Sequence, residues 1–115
     1  MLVLTPDIAE AIYELLRLTP PFKSWRLPHA DDIEFHITNH DDRHADSTST
    51  AKKGHRIRVS NNICHSLRSA TEAVAHEMCH IRQWCLGARR ENHGPVFNRL
   101  ADQVCRAHGF ERGTF

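Results

Sequence analysis

The amino-acid sequence predicts an α+β fold, with three helices and two strands in a single domain over residues 1–115. Apolar residues recur at helical spacing in three stretches of the chain. In two shorter stretches they alternate with polar residues, which is typical of strands with one buried face. A chain of 115 residues has the usual length of one domain, and no internal repeat divides it.

The first element is a helix that begins at Thr5-Pro6-Asp7, a capping residue followed by proline and an acid. It should end near Leu18, because Thr19-Pro20-Pro21 cannot continue a helix. Phe22, Trp25 and Leu27 follow, and we expect them to cover the core rather than line a groove. The helical stripe consists of Ile8, Ala11, Ile12, Leu15 and Leu16.

Two strands are predicted, at Asp32–Thr38 and His55–Ser60, from their alternating patterns. The polar segment between them, residues 39–54, has no apolar residue larger than alanine and reads as a mobile loop. The strands would then pair as an antiparallel hairpin across this loop. His40 and His44 lie four positions apart within it, but nothing predicts a helix to align them. A solvated loop is therefore favoured over a second metal site.

The second helix is the stretch Glu72–Leu86, which carries the motif H-E-x-x-H at residues 76–80. Ser69-Ala70-Thr71-Glu72 has the form of a capping box. Gly87 is a natural C-terminal stop, so the motif falls in mid-helix. Its apolar stripe consists of Ala70, Ala73, Val74, Met78, Ile81 and Leu86.

Helical geometry gives this motif its chemistry. Each residue turns about 100°, so His76 and His80 lie about 40° apart and can reach one metal ion. Glu77 lies about 60° from His80, where a general base must be to take a proton from a metal-activated water. A coincidental pair of helical histidines is the alternative, and the helical context favours the metal site. A catalytic zinc also needs a third protein ligand and an open position.

His93 is the candidate third ligand, 13 positions after His80 and just before the last helix. A turn at Gly87 lets that helix fold back and present His93 to the metal. The helix should begin at Pro95 and stop at Gly109. An exposed helix-capping histidine is the alternative, but a catalytic zinc requires three protein ligands, which favours the ligand role. The predicted stripe of this helix is Phe97, Leu100, Ala101, Val104 and Cys105.

Charge is unevenly distributed along the chain. Residues 1–50 hold 4 basic and 9 acidic residues, a net charge of −5, whereas residues 51–115 hold 11 and 5, a net charge of +6. A basic half that carries the candidate site is compatible with an acidic partner such as DNA, although solvated arginines explain the charge equally well. The candidate DNA contacts are Lys52, Lys53, Arg56, Arg58, Arg82, Arg89 and Arg90.

The cysteines and the N-terminal sequence indicate the cellular compartment in which the protein is expected. Cys64, Cys79, Cys85 and Cys105 form no C-x-x-C pair, so neither a zinc ribbon nor a thioredoxin-like redox motif is indicated. No signal peptide is visible, and no apolar run has the length of a membrane span. We therefore expect an intracellular protein with reduced thiols and no membrane partner.

The motif at residues 76–80, followed by His93-Gly94-Pro95-Val96-Phe97, resembles the SprT-like zinc metalloproteases, whose eukaryotic members are called Spartan. That family carries H-E-x-x-H and then a histidine in an H-G-x-x-F context. The order of strand 55–60, connector and motif helix is also similar. The resemblance covers roughly residues 55–109 well and residues 1–54 in outline.

The resemblance implies a compact zincin-like domain, in which a small antiparallel sheet packs on helices and zinc lies between the last two. It implies His76, His80 and His93 as ligands of one Zn²⁺ and Glu77 as general base of an endopeptidase. The family's role is cleavage of proteins crosslinked to DNA, promoted by DNA. This sequence shows no cysteine-rich zinc ribbon, so we expect DNA binding, if present, to come from the catalytic domain itself. We expect Asn98, Asp102 or His108 to orient the ligands.

Two alternatives stay open. One is another intracellular zincin that cleaves a single regulatory protein, which would share every site residue but ignore DNA. The other is a zinc-stabilised DNA- or protein-binding module without turnover, for which replacement of Glu77 would be harmless. The presence of Glu77 argues against the module, because a structural zinc site has no need of a general base.

Overall fold

The computed structural model describes residues 2–115 and contains three α-helices and one three-stranded sheet. Three short 3₁₀ helices lie at Phe22–Ser24, Ala30–Asp32 and Arg112–Thr114. The α+β class and the three predicted helices are confirmed. The main elements, in chain order, are α1 (Pro6–Arg17), β1 (Ile33–Thr38), β2 (Ala45–Thr50), β3 (Gly54–Ser60), α2 (Leu67–Cys85) and α3 (Pro95–His108).

The sheet is mixed, with strand order β1-β3-β2. β1 runs parallel to β3, and β2 runs antiparallel to β3. The predicted antiparallel hairpin between β1 and β3, and with it the wholly antiparallel sheet, is therefore wrong. The physical reason is β2, which takes the hairpin position next to β3 and leaves β1 to pair on the other side. The turn before β3 contains Gly54 at φ +77°, a conformation that favours glycine.

β2 lies inside the segment 39–54 that the sequence predicted to be a mobile loop. Its sequence, Ala-Asp-Ser-Thr-Ser-Thr, has no large apolar residue to mark a buried face. An edge strand such as β2 does not need a large apolar residue, because it pairs with only one other strand. Its side chains are half-buried or exposed. The β-branched threonines and the ladder to β3 are sufficient to form it.

Two of the three helix starts agree with the sequence. Thr5 caps α1 by accepting a hydrogen bond from the Ile8 N–H, and α3 begins at Pro95. The start of α2 differs, because Ser66 and Ser69 form the capping box one turn before the predicted Ser69–Glu72 box. At the C-termini, α2 stops before Gly87 and α3 is capped by Gly109, both at positive φ.

The core positions α2 between the sheet, α1 and α3. Its residues Met78 and Ile81 are fully buried, which turns the motif histidines toward the opposite side of the helix. The predicted core residues Phe22, Trp25 and Leu27 and the whole predicted stripe of α3 are buried. Of the α2 stripe only Leu86 is exposed, because it lies at the helix cap. Within residues 2–115, no helix combines the length and hydropathy of a membrane span.

Candidate metal centre and cleft

Three histidines from two parts of the chain converge at one point. His76 and His80 project from successive turns of α2, and His93 lies two residues before α3. Their ligand nitrogens all lie within 4.8 Å of one another. The Phe97 ring packs against all three imidazoles, with centroid distances of 4.9, 4.5 and 4.6 Å. The buried phenylalanine thus forms an apolar floor beneath the cluster.

The donor set suits a metal ion. The Nε2 atoms of His80 and His93 are 3.2 Å apart, close to the roughly 3.3 Å between two nitrogens of a tetrahedral zinc site with Zn–N near 2.0–2.1 Å. Metal ligation requires neutral imidazole. Burial, reinforced by the neighbouring His80 and His93, lowers the pKa of His76 to about 3. Burial also lowers the pKa of His80. The cluster could therefore hold a metal ion at neutral pH.

Glu77 lies beside the cluster and is almost fully buried, with 5% of its surface exposed. Burial raises the pKa of its carboxyl to about 7, and nearby Asp46 adds to the rise. The nearby Ser47 side chain opposes the shift. A carboxyl group in this environment can both accept and return a proton near neutral pH.

A cleft of about 700 Å³ opens over this group and is lined by β2, the C-terminal half of α2 and the loop that carries His93. His76 and Glu77 also line a second cavity of about 270 Å³, whose walls include Ala45, Ala73 and Phe115. The histidine cluster and the buried carboxyl thus lie between two cavities, with the edge strand β2 along one side.

Gln83 is a site residue that was not predicted from the sequence. The Nδ1 atom of His80 lies 3.0 Å from Oε1 of Gln83, a buried side chain on the same helix. The spacing of His80 and Gln83 could have predicted this contact, because residues three apart on a helix are neighbours. Of the three residues expected to orient the ligands, only Asn98 touches one, donating from its amide to the His93 carbonyl at 3.3 Å.

The other two expected orienting residues are engaged elsewhere. Asp102 pairs with Arg112 at 2.7 Å, and the His108 ring contacts the Thr19 hydroxyl at 3.0 Å. Neither contacts the histidine cluster.

The histidine pair of segment 39–54 is separate from this site. Over residues 2–115, the only cluster with metal-ligand geometry is the one formed by His76, His80 and His93. His44 is exposed and His40 lies 3.7 Å from the Asp42 carboxylate. The expectation of a solvated pair is consistent with this placement.

The candidate DNA contacts divide into two groups. Arg58 forms an ion pair with Asp46 at 2.6 Å, and Arg82 donates to the Trp25 carbonyl at 2.8 Å, so both are used within the fold. The Arg89 guanidinium stacks over the Trp84 ring at 4.1 Å beside the cleft. Arg56 is half-buried. The exposed members of the set are Lys52, Lys53, Arg89 and Arg90.

Comparison with protein families gives one match. The model of the SprT-like family matches residues 19–114. This range includes the histidine cluster, Glu77, the whole sheet and the segment 19–54, which the motif resemblance covered only in outline. Such a family is generally associated with metalloprotease-like function. Because the match spans most of the 115 residues, the chain belongs to the SprT-like family.

Proposed function

We propose that this protein is a zinc-dependent endopeptidase in which His76, His80 and His93 hold one Zn²⁺ and Glu77 is the general base. The observation that carries the proposal is the convergence of three imidazoles beside a buried carboxyl group in an open cleft. A structural zinc site usually has four protein ligands, whereas three leave a position free for chemistry.

Zinc, when bound, supplies Lewis acidity that activates water and polarises a carbonyl group. Glu77 accepts a proton from the attacking water as its oxygen bonds to the peptide carbon. The same carboxyl then delivers the proton to the leaving amine as the C–N bond breaks. The apolar floor at Phe97 keeps bulk water from one side of the histidine cluster. Burial of Glu77 suits both halves of this proton transfer, because it keeps the carboxyl pKa near neutrality.

The cleft favours an extended polypeptide as substrate. β2 is an edge strand of the sheet and lines the cleft through Ser47, Thr48 and Ser49. The backbone of an edge strand can pair with an added strand, which holds a peptide by groups that every sequence possesses. This mode of binding is compatible with broad specificity.

DNA is the proposed activating partner, as the family resemblance implies. Ser49 and Arg89 line the same cleft, and the turn that carries Lys52 and Lys53 follows β2 directly. The exposed side chains of Lys52, Lys53 and Arg89 are suited to phosphate contacts. A protein held on the same DNA would then be presented close to the cleft.

The experiment that tests this function is cleavage of a DNA-binding protein with and without single-stranded DNA, comparing the wild type with Glu77→Gln. Bound zinc is measured in both proteins. We expect cleavage that depends on Glu77 and rises with DNA. Glu77-dependent cleavage that ignores DNA would favour a zincin with one regulatory substrate. Stoichiometric zinc without cleavage, with or without DNA, would favour a binding module.

A further inference from the structure

We propose that Gln83 is a positioning residue that fixes both His80 and His93, through contacts with Nδ1 of His80 and with the carbonyl oxygen of Glu91. The inference rests on the proposed metal site. Gln83 is buried, with 3% of its surface exposed, and its amide joins α2 to the loop that carries the third histidine.

The amide of Gln83 can adopt only one orientation in this site. Its Nε2 lies 2.6 Å from the carbonyl oxygen of Glu91. A carbonyl oxygen can only accept, so the amide nitrogen must face Glu91 and the amide oxygen must face His80. That oxygen lies 3.0 Å from Nδ1 of His80 and can only accept, so Nδ1 must carry the proton. The Nε2 lone pair of His80 is thereby left free on the side that faces His93.

The second contact of Gln83 anchors the loop. His93 is exposed, and Glu91 lies two residues before it. The Glu91 carboxylate in turn accepts a hydrogen bond from the Val96 N–H in the first turn of α3, at 3.4 Å. It also lies against Gly94, where an added Cβ would collide with Oε1 of Glu91. One buried amide thus connects the second ligand, the loop and the start of α3.

Removal of this amide should affect two ligands together. His80 would lose the acceptor that selects its tautomer, and the loop would lose the bond at Glu91 that holds His93 near the other two. Groups that orient metal ligands typically change metal affinity by about 10- to 100-fold when they are replaced. We expect an effect in this range for Gln83→Leu.

The test is Zn²⁺ affinity, measured by competition with a chromophoric chelator. Gln83→Leu keeps the bulk and loses both hydrogen bonds, and it should weaken binding by about 10- to 100-fold. Gln83→Glu keeps an acceptor for His80 but cannot donate to Glu91, and its affinity should lie between those of Gln83→Leu and the wild type. Gln103→Leu, at an exposed position of α3, is the matched control and should bind like the wild type. An affinity of Gln83→Leu within twofold of the wild type would overturn the inference.

A spectroscopic readout separates positioning from general destabilisation. The ¹⁵N shifts of the His80 ring in the metal-free protein should report the Nδ1–H tautomer in the wild type and in Gln83→Glu, and a tautomer mixture in Gln83→Leu. An unchanged tautomer in Gln83→Leu would refute the role assigned to the amide. These measurements need no proteolysis. A wild type that binds no zinc would instead overturn the proposed function, whatever the His80 tautomer.

Discussion

The Nε2 atoms of His80 and His93 face each other at 3.2 Å across 13 positions of sequence. The Nε2 of His80 carries a lone pair, because its Nδ1 is the donor to Gln83. The Nε2 of His93 can either donate a hydrogen bond to this lone pair or share a cation with it. This arrangement suits a metal ion shared by the two histidines. A shared ion would also explain why the exposed loop places His93 against α2.

Replacement of His93 by alanine should sharply weaken zinc binding, because it removes one of three ligands from an otherwise preformed site. Metal content after dialysis against a weak chelator measures the effect. His44→Ala is the matched control, since His44 is exposed and outside the cluster. The control should retain one zinc per chain. Equal zinc in both variants would remove His93 from the site.

Replacement of Glu77 by glutamine should leave zinc bound and reduce turnover by about 10²- to 10⁴-fold, the usual contribution of a general base. The amide has nearly the same shape as the carboxylate but cannot accept the proton. Rates of peptide cleavage and zinc content are measured on the same samples. Glu34→Gln, on the exposed side of β1, is the control and should cleave like the wild type. Turnover retained in Glu77→Gln would contradict the assignment.

The sequence alone predicts the three helices and the convergence of the three histidines. Helical spacing, caps and proline positions are local properties, and the motif residues are brought together largely by one helix and one turn. The sheet was harder to predict because β2 depends on its partner. Its serines and threonines become a strand only through the ladder to β3, and no hydrophobic pattern marks that ladder in advance.

The residues around the ligands were predictable only in part. Gln83 lies one helical turn from His80 and could have been found from spacing alone. Ser47 could not, because its approach to Glu77 requires the position of β2. The expected role of Asp102 failed for the same kind of reason, since its partner Arg112 lies in the C-terminal segment that packs near α3.

Gly109 should matter more for stability than Gly113. Gly109 caps α3 at φ +75°, where a side chain is strained, so Gly109→Ala should lower the free energy of unfolding by about 1 kcal/mol. Gly113 has open space around its Cβ position and no positive φ, so Gly113→Ala should be close to neutral. Urea unfolding of the two variants measures the difference. Equal effects would argue against the left-handed cap.

Glu14 should make the stability of the fold depend on pH in the acidic range. Burial disfavours its ionisation, but the hydrogen bond from the Ala30 N–H at 2.8 Å and the pairing with Arg17 at 3.0 Å prevail and lower the pKa of Glu14. A lowered folded-state pKa stabilises the protein above the unfolded value of about 4.3, and this stability is lost as pH falls through the folded value.

Glu14→Ala should therefore lower the free energy of unfolding by about 1 kcal/mol at pH 7, and by less at pH 3. Urea unfolding in the presence of a chelator measures both values, so that zinc release in acid does not contribute. Glu10→Ala, one turn earlier on α1, is the control and should show a small effect at either pH. A difference between Glu14→Ala and the wild type that is the same at pH 7 and pH 3 would rule out the ionised carboxylate as its source.

The turn between β2 and β3 should govern the response to DNA. Lys52 and Lys53 are exposed there, and their replacement by glutamate should weaken binding of single-stranded DNA and reduce its stimulation of cleavage. If both lysines contact phosphates, the slope of log affinity against log salt should fall by about 1.4, because each contact contributes about 0.7 on single strands. The matched charge change at Lys23 and Arg26, both exposed outside the cleft lining, should leave the slope unchanged. Equal losses in the two double variants would mean that net charge, rather than this turn, attracts the DNA.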